Sequence, residues 1–381
     1  MLGTRPDGSR PYHNETLHDS TEAKAWKRVT VLLGQVDSGT YFAASKQTVR
    51  ELMAETLDRA RRRGCKRGTL RFYETLIENH INPALGDFPI GELTGDVIRK
   101  FPDGMQDAKL SARYTRVAFR LLKTALTYAV ARNRLQRNPC LGVELPPAQK
   151  PRKARVFDSF DMAVRFVEAC RRQPEDIIFV FALVTGMRPS EFAGLSYPQL
   201  SLARGKDEDG REIERGVASV EQAVARAKGG GWYFETPKTP ASYRKVYFPA
   251  SLYHELMARK AAQLERLRLL GLNHQLVFTT ATGDPFTTST LRRRLLKVCE
   301  RAGIDTEGRS SYTLRRSHAT LSLLANERLK SLSERMGHTS VEFTQDEYID
   351  ALPEMQQIAA DRLEQGLLGT NLAQSEPGRV M

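Results

Sequence analysis

The stretch TGMRPSEFAGL, Thr185–Leu195, joins a long apolar run to the start of a helix. Pro189 favours the first position of a helix, because the N–H group that proline lacks would have no partner there. Arg188 is therefore predicted to stand at the junction, where Glu191 can cap the helix and pair with the guanidinium. Taken alone, the pattern predicts no more than a salt bridge at a helix start.

Two further junctions follow in the C-terminal part of the chain. In SYTLRRSHATL, Ser311–Leu321, two adjacent arginines, of which Arg315 is the first, precede an Ala- and Leu-rich helical stretch, and packing alone does not account for them. In GHTSVEFTQDEYI, Gly337–Ile349, His338 precedes Tyr348 by ten residues. This tyrosine is either an ordinary half-buried residue or a nucleophile, and its own neighbourhood does not decide between the two.

A region rich in β-forming residues lies between these junctions. The segments VASVEQAV, GWYFETP and YRKVYFP, within residues 217–249, are candidate strands. Lys238 falls in a proline-flanked turn and is predicted to lie at the tip of a hairpin, although an exposed turn lysine without a role is the simpler alternative. The glycine-rich KGGGW lacks the spacing and the strand-to-helix context of a phosphate loop.

The segment from about residue 45 to residue 140 has helical patterns throughout. Its most informative part is Lys109–Arg134, where one face is apolar and another is cationic at 100° per residue. The apolar face is formed by Leu110, Tyr114, Val117, Leu121, Ala125 and Tyr128, and the cationic face by Arg113, Arg116, Arg120 and Lys123. A solvated helix face and a face that binds phosphate are both consistent with this pattern.

The stretch PPAQKPRKAR, Pro146–Arg155, predicts an extended linker between two domains. It has three prolines and no large apolar side chain. Its cations Lys150, Arg152 and Lys153 suit a strap across a phosphate backbone.

Length and composition agree with a modular protein that binds a polyanion. The chain has 381 residues, with 58 Lys and Arg against 45 Asp and Glu, for a net charge of +13. Its four cysteines have no paired spacing, so neither a disulfide framework nor a zinc site is indicated, and no apolar run reaches the length of a membrane helix. We therefore expect a cytoplasmic protein with reduced thiols and without a metal or another cofactor.

In this order, Arg188, Lys238, Arg315, His338 and Tyr348, with TGMRPSE, PKT, LRRSHAT and MGHTS around them, resemble the tyrosine recombinase (phage integrase) family. The resemblance implies a mostly α fold: a helical core-binding domain, followed by a mixed α/β catalytic domain with a small antiparallel β-sheet. The implied domains are an abbreviated arm-binding-like segment (1–42), the core-binding domain (43–145), the basic linker (146–155), the catalytic domain with a C-terminal helix (156–368) and a disordered tail (369–381). That last helix is expected to pack on its own domain or on a neighbouring protomer.

The resemblance also implies a mechanism. Tyr348 would attack phosphorus and form a 3′-phosphotyrosyl link without ATP or metal. Arg188 and Arg315 would stabilise the charge on the nonbridging oxygens, Lys238 would protonate the leaving 5′-oxygen, and His338 would donate to a nonbridging oxygen.

One position departs from the family pattern. Three residues before Arg315, where many members have histidine or lysine, this chain has Tyr312, and a phenol is a poor base at neutral pH. His318 is the alternative acceptor for the proton of Tyr348, although its place in the motif more often serves packing.

The function implied is site-specific DNA recombination, integrating or excising a phage or other mobile element. The alternatives are a type IB-like DNA topoisomerase and a catalytically inactive DNA-binding regulator with the same fold. The expected partners are double-stranded attachment sites, three further copies in a homotetramer, and accessory proteins that control direction or bend DNA. The cations expected to contact DNA are those of the cationic helix face and the linker, together with Arg292, Arg293 and Arg294.

Overall fold

The chain divides into two compact units, Met1–Pro151 and Arg152–Met381. The computed structural model describes residues 21–37, 45–145, 147, 155–206, 209–227, 229–237, 242–338, 340–342, 360 and 363–364. In the described part of the first unit all regular structure is helical, and α3 runs through a π-helical segment, Ile77–Ile81, directly into α4. The helices are α1 (Glu22–Asp37), α2 (Val49–Arg62), α3 (Arg67–Leu76), α4 (Asn82–Leu85), α5 (Gly95–Asp107) and α6 (Ala112–Ala131).

The cationic helix of the first unit is α6, and its buried face is wider than predicted. Of the six predicted apolar positions on this helix and just before it, Leu121 and Ala125 are fully buried, whereas Tyr114, Val117 and Tyr128 lie at the margin. Helices α2 and α5 both contact α6, so the centre of the buried face moves to the residues between those two contacts. The fully buried residues are Thr115, Ala118, Phe119, Leu121, Leu122, Ala125, Leu126 and Ala129.

The second unit combines helices with two small antiparallel sheets around one apolar core. Helix α8 lies in the middle of this core, because all but one of its residues are buried. The helices are α7 (Phe160–Arg171), α8 (Ile177–Thr185), α9 (Pro189–Ala193), α10 (Ala250–Ala258), α11 (Lys260–Leu269), α12 (Thr288–Arg301), α13 (Thr313–Leu324) and α14 (Leu329–Met336). The strands are β1 (Leu200–Lys206), β2 (Glu212–Val220), β3 (Ala223–Arg226), β4 (Trp232–Glu235) and β5 (Arg244–Pro249).

The strand pairing corrects the predicted hairpin around Lys238. Strands β1, β2 and β5 form one sheet, with Leu200 opposite Ala218 and Val217 opposite Tyr247, whereas β3 pairs with β4 in a separate two-stranded sheet. The strands on either side of Lys238 are β4 and β5, so they belong to different sheets and do not form a hairpin with each other. The reason is that β4 has a nearer partner, β3, from which a glycine-rich turn separates it.

Several predictions concern residues outside the described ranges. These residues include Lys238 and Tyr348, the linker cations Lys150, Arg152 and Lys153, the segment before residue 21 and the tail 369–381. The helix expected after Tyr348 is described only at residues 360 and 363–364. Among the helices that are described, none is long and apolar enough to cross a membrane.

A buried asparagine closes the C-terminal end of α6. The side-chain amide of Asn138 donates to the carbonyl of Lys123 (2.9 Å) and to the hydroxyl of Thr127 (2.8 Å), and its oxygen accepts from the N–H of Cys140 (2.9 Å). Three hydrogen bonds therefore depend on one side chain that is almost fully buried.

We predict that Asn138→Ala lowers the free energy of unfolding of the first unit by about 1–3 kcal/mol, because buried polar groups lose their partners. Calorimetry of the full chain measures the shift of that unit's transition. The exposed Gln136 on the same turn provides the control, and Gln136→Ala should leave the transition within about 0.5 kcal/mol of its original free energy. Equal effects of the two substitutions would show that the hydrogen bonds of Asn138 are not responsible.

Candidate active site

A left-handed glycine ends α8 and begins the site. Gly186 has φ of 62°, and a β-carbon at this position would lie 2.3 Å from Cδ2 of His318. Both the backbone conformation and the closeness of the imidazole ring therefore require glycine here. The carbonyl of Gly186 accepts a hydrogen bond from Nη1 of Arg315 (2.8 Å), which ties the end of α8 to α13.

The predicted helix start at Pro189 is confirmed, and it includes a residue that the sequence analysis missed. Glu191 accepts from the N–H of Arg188 (2.9 Å) and from its Nη1 (2.8 Å), as the capping pattern predicts. The same carboxylate also receives both terminal nitrogens of Arg244, at 3.2 and 2.8 Å. Arg244 opens β5, and its side chain is only 7% exposed.

The balance of charge around Glu191 keeps this carboxylate ionised. Burial alone would raise its pKa, but the hydrogen bonds and charge of Arg244, together with the charge of Arg188, lower it below the ordinary value. Two guanidinium groups thus share one buried carboxylate, so the cluster keeps a net positive charge.

Three arginines bind the last carbonyl groups of α14. The ends of helices leave carbonyls without intrahelical partners, and the helix dipole favours cations there. Helix α14 stops at Gly337, which adopts the left-handed conformation with φ of 64°. The three hydrogen bonds run from Arg244 Nε to the oxygen of Arg335 (2.6 Å), from Arg315 Nη2 to that of Met336 (2.7 Å) and from Arg188 Nη2 to that of Gly337 (2.9 Å).

His338 follows this helix end and contacts Arg315. Nη2 of Arg315 lies 2.8 Å from Nε2 of the imidazole. A guanidinium can only donate, so Nε2 accepts and the ring proton resides on Nδ1. Burial, followed by the charges of Arg315, Arg188 and Arg244, lowers the pKa of His338 to about 4. At neutral pH His338 is therefore a neutral ring with one N–H to donate.

The structure places His318 in the core rather than at an open catalytic position. Its Nδ1 donates to the carbonyl of Leu183 (2.9 Å), and its Nε2 is buried with no hydrogen-bond partner among the described residues. Burial, with the charges of Arg335 and Arg315, lowers the pKa of His318 to about 3. Of the two interpretations of His318, the geometry favours packing, because the ring supports the turn at Gly186.

Tyr312 and the two motif arginines differ in exposure. Tyr312 precedes the first residue of α13 and is 44% exposed, whereas Arg315, one turn further, is 6% exposed. The side chain of Arg188 is 30% exposed. Arg188 and Tyr312 are thus open to a ligand from solvent, and Arg315 supplies charge from beneath.

The cations expected to contact DNA do not share one environment. On α6, Arg113, Arg120 and Lys123 are exposed, and Arg116 is half-buried. On α12, Nε of Arg292 donates to the carbonyl of Arg309 (3.2 Å). Arg294 is bound by two carboxylates, those of Asp176 and Glu175, while Arg293 is exposed.

The described part of the site is suited to bind a tetrahedral anion. Arg188, Arg244 and Arg315 surround a single carboxylate and the end of α14, and fixed guanidiniums of this kind recognise phosphate oxygens. Tyr348 and Lys238 lie outside the described residues, so their distances to this cluster are not part of its geometry. The signal for Arg244 was present in the sequence only as a basic residue that opens a predicted strand.

Two family models match the chain. The model of the phage integrase family matches residues 244–355, and that of the phage integrase N-terminal SAM-like domain matches residues 41–106. A "Tyrosine recombinase XerC-like" protein of Caldanaerobacter subterraneus subsp. tengcongensis is 24% identical over 361 residues, covering 91% of this chain and 90% of that protein. The integrase of Mycobacterium phage D29 is 26% identical over 350 residues, covering 88% and 85%.

Solved structures with the same fold include two integrases bound to DNA. The Tn1549 transposon integrase in complex with transposon right end DNA has a TM-score of 0.62 at 21% identity, over 82% of this chain and all of that one. A lambda integrase tetramer bound to a Holliday junction has a TM-score of 0.55 at 16% identity, over 91% of this chain and 92% of that one. These similarities confirm the predicted fold, helical with a small antiparallel sheet in the C-terminal unit.

We predict that Glu191→Gln lowers the free energy of unfolding of the second unit by about 3–5 kcal/mol, because Arg244 becomes a buried charge without a counterion. The folded pKa of Glu191 is depressed, so its contribution is complete above the ordinary value of 4.5 and is lost as the pH falls through the folded value. Urea denaturation at several pH values should therefore show the largest difference from wild type near neutrality. Glu221→Gln, at an exposed carboxylate, is the control, and an equal loss there would contradict the prediction.

We also predict that His318→Gln alters how stability depends on pH. The unfolded chain protonates His318 below its ordinary pKa of 6.5, whereas the folded chain does so only near 3, so in wild type this residue lowers stability as the pH falls through that window. From pH 7 to pH 5 the difference in unfolding free energy between wild type and variant should change by about 2 kcal/mol against wild type. His254→Gln, at an exposed histidine, is the matched control, and identical pH profiles for wild type and His318→Gln would contradict burial of the neutral ring.

Proposed function

The chain belongs to the tyrosine recombinase family, and we propose from this premise that it is a site-specific DNA recombinase that integrates or excises a phage or other mobile element. The observation that carries the proposal is the cluster of three arginines around Glu191 and the end of α14. A phosphodiester under attack accumulates charge on its nonbridging oxygens, and preorganised cations are what stabilises it.

We assign the nucleophile to Tyr348. Its phenolic oxygen attacks the phosphorus of the scissile phosphodiester, a 3′-phosphotyrosyl bond forms, and the bond to the 5′-oxygen breaks. The bond energy stays in the covalent intermediate, so the reverse attack by a 5′-hydroxyl rejoins the strand without ATP. His338 lies ten residues upstream, at the end of α14 that the arginines bind.

The described residues then divide the work of binding the phosphate. Arg188, with its partly exposed guanidinium, contacts a nonbridging oxygen, and Arg315 adds its charge from below while it holds His338. The Nδ1–H of His338 donates to a second nonbridging oxygen. Glu191 and Arg244 touch neither oxygen and act by fixing the direction of Arg188.

Two proton transfers complete the reaction. Lys238 protonates the leaving 5′-oxygen, since an ammonium group is an effective acid for an alkoxide. The proton of Tyr348 passes to solvent or to the exposed neighbourhood of Tyr312, because the buried His318 donates to Leu183 and lies beneath the turn at Gly186. Cleavage should accordingly persist in His318→Ala when it is assayed below the melting temperature of that variant.

The partners proposed are duplex attachment sites and three further copies of the chain. The exposed cations of α6 and the linker cations Lys150, Arg152 and Lys153 bind phosphates on both sides of the duplex, which makes binding strongly dependent on salt. The lambda integrase tetramer on a Holliday junction supports the tetramer by analogy. Accessory proteins that set direction, and a cytoplasmic site of action, belong to the same proposal.

The test is covalent trapping on a nicked duplex that contains the element's attachment site. We predict a protease-sensitive 3′-phosphotyrosyl adduct that forms in EDTA without ATP and falls by more than about a thousandfold in Tyr348→Phe. Tyr247→Phe, at an exposed tyrosine of β5, is the matched control and should form the adduct normally.

An undiminished adduct in Tyr348→Phe, or a strict requirement for Mg²⁺, would contradict the mechanism. Relaxation of supercoiled plasmids that lack the attachment site would instead favour a topoisomerase. A folded wild type that binds the site without any adduct would favour an inactive regulator.

A further inference from the structure

We infer that the second unit contains a separate binding pocket for a small ligand that carries two or more phosphate groups. The pocket has a volume of about 710 Å³ and lies between α11, α12, the turn before α8 and the loop at residues 277–281. Arg188, Arg244 and Arg315 do not line it, so it is distinct from the cluster proposed to bind the scissile phosphate.

The lining of this pocket has a large excess of positive charge. Six cations face it against two carboxylates, those of Glu175 and Asp176. Such an excess in a concave space is costly unless an anion is bound, because the low dielectric of the walls strengthens the repulsion. The cations are Arg259, Arg266, Arg293, Arg294, Lys297 and Arg301.

Internal ion pairs use up the carboxylates of the pocket. Asp176, which is fully buried, accepts from Nε of Arg294 (2.5 Å) and from Nη2 of Arg301. Glu175 accepts from Nη2 of Arg294 (3.0 Å). Arg259 has its own carboxylate, that of Glu255, at 2.9 Å. Both acidic groups of the lining are therefore neutralised by cations that stand behind or beside them.

Three cations remain without a carboxylate in the described part of the chain: Arg266, Arg293 and Lys297. Arg266 is held by uncharged groups, among them the hydroxyl of Thr279 at 2.6 Å and the carbonyl of Thr280 at 3.2 Å. Its guanidinium is thereby fixed in position with its charge uncompensated. Arg293 and Lys297 are exposed at the opening.

The arrangement along α12 points the same way. Arg293, Lys297 and Arg301 follow each other at intervals of four residues, which places three like charges on one face of the helix. Like charges at this spacing destabilise a helix, and only Arg301 has a carboxylate partner there. A bound anion removes this repulsion.

The shape of the pocket selects a small anion over duplex DNA. A cavity of this volume is in the range that holds small ligands, and a rigid duplex reaches only its rim. Guanidinium and ammonium groups favour phosphate oxygens, and at least two phosphates are needed to span from Arg266 to the opening cations. Phe278 and Phe286 lie in the lining as well, and they would contact a base if the ligand is a nucleotide.

The experiment is isothermal titration calorimetry of the full chain in EDTA, with tripolyphosphate and ATP as two separate probes. The pocket variant is Arg293→Gln/Lys297→Gln, which changes exposed side chains and leaves the ion pairs of Asp176 intact. The matched variant is Arg165→Gln/Arg268→Gln, which removes the same charge from exposed positions outside the pocket. Thermal denaturation checks that both fold.

We expect wild type to bind tripolyphosphate, the pocket variant to bind about tenfold more weakly or worse, and the matched variant to bind within about twofold of wild type. Tighter binding of ATP than of tripolyphosphate identifies a nucleotide, and equal binding identifies the phosphate chain as the ligand. No binding by wild type, or equal weakening in both variants, overturns the proposal. A pocket variant that loses affinity for DNA while wild type ignores both probes also overturns it, because the pocket is then part of the DNA-binding surface.

Discussion

The meeting of three guanidinium groups with the last three carbonyls of α14 is the constraint on which the second unit depends. Arg188 comes from the start of α9, Arg244 from the start of β5 and Arg315 from the first turn of α13, so one helix end joins elements that are far apart in the chain. The carbonyls would otherwise lack partners, and the arginines would otherwise repel one another. The site and the packing of the unit are therefore formed by the same interactions.

Glu191 makes that arrangement possible. Three cations can lie this close together only if an anion offsets part of their charge, and a buried carboxylate with a lowered pKa does so at any pH where the protein would act. One carboxylate for two directly bound arginines leaves an unbalanced positive charge, which attracts a phosphate. Full compensation would have made a stable core without affinity for an anion.

The sequence predicts those parts of the site whose causes are local. Arg188 could be placed because Pro189 and Glu191 stand within three residues of it. Arg244 could not, since its partner Glu191 is 53 residues away and only the pairing of β5 with β2 brings the two together. The same holds for His318, whose role follows from a carbonyl 135 residues earlier. The hairpin at Lys238 was predicted wrongly because local strand patterns do not reveal which strand is paired with which.

The neutral imidazole of His338 couples proton uptake to the binding of an anion. Its low pKa arises in part from the uncompensated charges of Arg315, Arg188 and Arg244. A phosphate seated on these cations cancels much of their field, so the pKa of the ring must rise toward its ordinary value on binding. By linkage, a protein that gains a proton with its ligand binds that ligand more tightly as the pH falls. Acidity would thus act on this recombinase as a co-ligand of DNA.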